Sequence, residues 1–155
     1  MPFLIHALEP DRFQSLFSMS DDELQQHQAR RVAVEANPGT PCRVSLQDAE
    51  VGEEVVLVHY EHQPADSPFR SSHAIYVRNN VAQSFLDQDE IPALFRHRLM
   101  SVRAFSKDHI MINADAIEGT YLEPVINRFL DDQEVDYIHL HYAKPGCFAA
   151  RVERC

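Results

Sequence analysis

Apolar and polar positions alternate with period two along much of the chain, which is the pattern of strands with one buried face. The clearest case is residues 54–60, where VVLV follows turn chemistry at Val51-Gly52. Residues 3–7, the Val32/Val34 segment ending at Asn37-Pro38-Gly39, and residues 73–78 read the same way. Two hairpins are predicted near the end: 98–105 with 109–117, and 135–142 with 147–153. Helical spacing is rarer. Phe13, Leu16 and Phe17 share a stripe, Ser20 and Glu23 have the spacing of a capping box, and Pro92 opens a short helix. Leu122, Val125, Ile126, Phe129 and Leu130 mark a longer one. Residues 61–72, with two prolines, read as a polar loop. The expectation is one α+β domain over residues 1–155. It has a mainly antiparallel sheet, several short helices, and one long helix at about 120–130 packed on one face.

Parity sorts the hairpin side chains. In the last hairpin Ile138 and Leu140 face the core with Phe148, Ala150 and Val152. The reverse face takes Tyr137, His139, His141, Cys147, Ala149, Arg151 and Glu153, provided the connecting loop is odd in length. In the preceding hairpin Met100, Val102 and Ala104 are matched with Ile110, Ile112 and Ala114, leaving Ser101, Arg103, Asn113 and Asp115 on the reverse face. A wet sheet face alternates in this way too. Two histidines, an arginine and a cysteine on one face differ from the Thr, Lys, Glu and Ser usual on a wet face, and both a solvated face and a functional cleft stay open.

Charge narrows the partners. A net charge of −10 argues against nucleic acid and anionic membranes. Twelve arginines against two lysines suit bidentate recognition of a small anion. The first residues, MPFLIHALEPDRF, have neither a basic start nor a long apolar run, and three cysteines form an odd set. The location expected is the cytoplasm; self-association stays open.

Three chemistries compete. His139 and His141, two residues apart on one strand, lie about 6.5 to 7 Å from each other and can share an ion. Cys147 is then a soft third ligand and zinc the candidate metal. Alternatively, Cys42 in the stiff PGTPCR loop is a nucleophile beside Arg43, with His139 or His141 as its base. Both readings describe a small-molecule enzyme. The third is a non-catalytic binding protein in which Arg43, Arg103 and Arg151 hold an anionic ligand.

The stretches PGTPCRVSLQDAEVGE (38–53), EHQPADSPFRSSHAIYVR (61–78) and IHLHYAKPGCFAARVER (138–154) resemble the bacterial family catalogued as domain of unknown function 1203. The chain departs from the family pattern at His73-Ala74 and at Tyr142. The resemblance implies that Cys42, Arg43, Arg103, His139, His141, Cys147 and Arg151 belong to family motifs, and it implies no particular activity.

Overall fold

A computed structural model describes residues 1–155. Eight strands dominate it: β1 (Phe3–His6), β2 (Ala29–Ala33), β3 (Glu54–Gln63), β4 (Ser71–Arg78), β5 (Leu99–Phe105), β6 (Met111–Glu118), β7 (Tyr137–Tyr142) and β8 (Phe148–Arg154). The helices are short: α1 (Asp21–Gln26), α2 (Ala93–Arg96) and α3 (Leu122–Leu130). This corrects the α+β expectation, because the molecule is mainly antiparallel sheet and no long helix is packed on a face. The segment read as that helix is a 3-10 turn, Gly119–Tyr121, running into nine residues of α-helix. Nor do residues 10–18 form an α-helix; they make two 3-10 turns.

The chain forms two compact units. The first comprises Met1–His6, Glu61–Ser72 and Phe85–Cys155, and the second Ala7–Tyr60 and His73–Ser84.

The first unit holds a five-stranded sheet in the order β1-β8-β7-β5-β6, with each of these neighbouring pairs antiparallel. On one face Met100, Val102, Ala104, Ile138, Leu140, Ala150 and Val152 are all buried. The apolar side of α3 is buried as well. The Arg154 guanidinium donates to the carbonyls of Leu130, Asp132 and Val135, satisfying groups that the end of a helix leaves open. The crossover from β6 to β7 makes no parallel pair, since β5 lies between them.

Both hairpins depart from simple parity through irregular register. In the last one Tyr142 N–H donates to the Cys147 carbonyl, so the loop has four residues rather than an odd number. The register then shifts between Leu140 and His141: Leu140 faces Ala150, but His141 faces Phe148. Ala149 is the extra residue, and Phe148 moves from the expected core face to the histidine face. In the other hairpin the shift falls at Ala104/Phe105, and Arg103 is paired with Ala114 while Asp115 is paired with Val102. Asp115 therefore lies opposite the face predicted for it, where Arg128 of α3 donates to it at 2.9 Å.

The second unit holds the sheet β2-β3-β4 over a core that includes Phe13, Leu24, Cys42, Val44, Val56, Ile75 and Val77. The capping box forms as its spacing requires: Glu23 N–H donates to Ser20 Oγ at 3.2 Å, and Ser20 N–H to Glu23 Oε1 at 3.1 Å. The stretch read as a loop at 61–72 is largely strand at its ends, because β3 continues to Gln63 and β4 begins at Ser71. The tip of this pair, Glu61–Ser72, belongs to the first unit.

Candidate functional site

Strand register sets one row of side chains across the polar face of the five-stranded sheet. Ala114, Arg103, His139, Arg151 and His6 are successive cross-strand partners from β6 to β1. Directly opposed residues share a face, and their Cβ atoms lie about 4.5 to 5.5 Å apart. Alongside runs a second row, Ala116, Ser101, His141 and Phe148.

The two histidines are not solvated. His139 is 3% exposed and His141 1%. The cover includes His62 at the end of β3, whose ring stacks on Phe148 (5.5 Å, 12°) and meets His141 edge-on at 4.8 Å between centroids. His62 also lies 6.1 Å from His139, and its Nε2 bonds the Ser71 hydroxyl. Phe105 sits 5.1 Å from His139 on the other side. His141 Nδ1 lies 3.0 Å from the Gly146 carbonyl, so that nitrogen carries the proton and donates.

Two features mark His139. Its Nδ1 is buried without a hydrogen-bond partner. Its pKa is lowered to about 2, mainly by burial, then by His141, His62, Arg151 and Arg103. The imidazole therefore stays neutral at any ordinary pH.

The arginines flanking it are unequal. Arg151 lies 4.0 Å above the Tyr137 ring and donates to Glu153 at 2.6 Å, so its charge is compensated. Arg103 donates Nε–H to Ser101 Oγ at 3.1 Å and has no carboxylate partner. Burial alone lowers its pKa, in keeping with a guanidinium stripped of some water and given no counter-charge. The register explains the difference. The parity expectation set Asp115 on the Arg103 face, and the irregular register replaces it there with Ala114 and Ala116.

Next to the row, Tyr137 Oη accepts from Gln63 Nε2 at 2.8 Å and bonds His109 Nδ1 at 2.7 Å.

The other candidate residues, Cys42, Arg43 and Cys147, are all buried. Cys147 is buried at the turn between β7 and β8. Cys42 and Arg43 belong to the second unit. Within that unit Cys42 Sγ is fully buried and accepts from the backbone N–H groups of Val44, Ser45 and Arg78, each at 3.4 Å. The Arg43 side chain, 1% exposed, donates to the Pro41 carbonyl at 2.6 Å. No group of three or more His, Cys, Asp or Glu residues is arranged to hold a metal ion. No helix is long and apolar enough to cross a membrane.

His62 and Gln63 are the site residues that the sequence reading passed over. The signal was present: Val56, Val58, Tyr60 and His62 keep one parity, so the alternation runs on past Tyr60 into the segment read as a loop.

Residues 39–154 match the family described as "Protein of unknown function (DUF1203)". That is most of the chain, and the chain belongs to this family. No curated protein and no solved structure matches it.

Proposed function

We propose that the protein binds a small anionic molecule through Arg103, on the sheet face beside His139, without catalysing its conversion. One observation carries this reading. Arg103 is partly desolvated and lacks a carboxylate, whereas Arg31, Arg70, Arg78, Arg128 and Arg151 each have one. A guanidinium in that state gains most from an arriving anion, because part of the desolvation cost is already met.

The enzymatic alternative is weaker at this row. A general base works best with a pKa near the operating pH. His139, at about 2, is a poor proton acceptor at neutral pH. The zinc reading likewise has no third ligand in place.

The test is thermal unfolding in a series of small anions at constant ionic strength. A ligand present at 100 times its Kd stabilises the folded form by about 2.7 kcal/mol. Arg103→Gln should abolish that shift, and Arg70→Gln, which removes an exposed arginine already paired with Glu61, should leave it intact. Equal shifts in wild type and Arg103→Gln would refute the reading.

A further inference from the structure

Resting on the anion-binding reading, we infer that the ligand is a small monocarboxylate, not a phosphate or sulfate. Charge counting on the sheet face points this way. Three groups could oppose an anion: Arg103, Arg151 and His139. Arg151 is already paired with Glu153 at 2.6 Å, and Glu153 also lies 3.6 Å from His6 Nε2. His139 is sealed between Phe105, His62 and Phe148 as a neutral ring. One uncompensated positive charge remains, on a chain whose net charge is −10. A monoanion matches it one to one, and a dianion would bring a second negative charge with no partner.

Geometry agrees with the charge count. Arg103 uses Nε–H on Ser101 Oγ, which leaves the two terminal nitrogens as a fork. A fork of that kind meets the two oxygens of a carboxylate in parallel bonds. Directly opposite Arg103 and Ser101 the neighbouring strand presents two methyl groups, Ala114 and Ala116, both exposed, while Glu118 lies further along the same face opposite Leu99. The methyl groups leave space next to the guanidinium and supply no second cation or hydroxyl of the sort that the remaining oxygens of a tetrahedral anion require. Ser101, the nearest hydroxyl, is already engaged by Arg103 itself.

Isothermal titration separates the outcomes. Acetate, benzoate, inorganic phosphate and sulfate would each be titrated into the full-length protein and into Arg103→Lys and Arg103→Gln, at neutral pH and matched ionic strength. The expected result is binding of a carboxylate, with sulfate and phosphate at least tenfold weaker. Arg103→Lys, which keeps the charge and loses the fork, should weaken the carboxylate at least tenfold, and Arg103→Gln should remove binding. Arg103→Lys also preserves the size and charge that the local packing is built around, so its result does not hinge on a disrupted fold. Phosphate or sulfate binding as tightly as the carboxylates, still lost in Arg103→Gln, would overturn the carboxylate assignment and leave the anion site standing. Absence of binding by all four anions, or binding indifferent to Arg103→Gln, would overturn the anion site itself.

Discussion

A histidine held neutral down to pH about 2 burdens the fold in acid, and the sign can be worked out from His139. In the unfolded chain its pKa is near the ordinary 6.5. Below that value the unfolded state takes up a proton that the folded state refuses, so folding becomes less favourable as pH falls. The loss is about 1.4 kcal/mol for each pH unit between roughly 6.5 and 2, and nothing is lost above that window. Between pH 6.5 and 5 this one side chain should remove about 2 kcal/mol. Urea midpoints at pH 7.5 and 5 would measure it, and His139→Gln should have a visibly flatter pH dependence than wild type. An unchanged slope in the variant would show that His139 is not the group responsible. What was legible at this scale is the shared face. His139, His141, Arg103 and Arg151 do share a face, as period-two alternation requires. That the imidazoles are buried was not legible, because their cover comes from His62, some 80 residues earlier.

Elements were harder to read than residues, for a physical reason that the two C-terminal hairpins expose. Parity holds only while the ladder is regular, and one extra residue reverses every later side chain. Ala149 does this in one hairpin and the irregularity at Ala104/Phe105 in the other. The extra residues are Ala149 in one and Ile112 in the other, and nothing in the sequence marks either as extra. The helix near 120 was over-read on similar grounds, since a clean apolar stripe says nothing of how few turns carry it. Where that segment leaves β6, the backbone packs closely. A Cβ built on Gly119 would lie 1.6 Å from the Phe95 carbonyl oxygen and 2.6 Å from its carbon. Both atoms are backbone and cannot swing away, and Gly119 N–H is meanwhile fixed to the Arg98 carbonyl at 2.8 Å. Gly119→Ala should therefore cost at least the 1 to 3 kcal/mol typical of overpacking, read as a lowered denaturation midpoint. The control is Gly52→Ala: a Cβ there meets nothing within 4 Å, so any cost arises from φ +93° alone.

At the scale of the whole molecule, the two units alternate along the chain. The first takes Met1–His6, then Glu61–Ser72, then Phe85–Cys155, and the second takes what lies between. Neither can be cut out as one contiguous piece. The fragment Phe85–Cys155 retains β5 to β8 and every row residue except His6, so its behaviour reports on what the missing pieces do. It loses β1, whose four residues pair with β8. It also loses His62 from its stack on Phe148, Gln63 from the Tyr137 hydroxyl, and Phe69 from its edge contact with Phe105. Without these, the face bearing His139 and His141 is open to water, and β8 becomes an unprotected edge. Desolvation is the main reason why His139 stays neutral, so exposing the ring returns its pKa toward the ordinary value. The fragment should show no cooperative unfolding transition, and its histidine resonances should titrate near pH 6.5, whereas the full chain should keep at least one imidazole neutral at pH 5. A fragment that unfolds cooperatively and holds His139 neutral at pH 5 would contradict this. In that case the four strands β5 to β8 would suffice to build the row, and β1 and the tip of β3 and β4 would be additions to it.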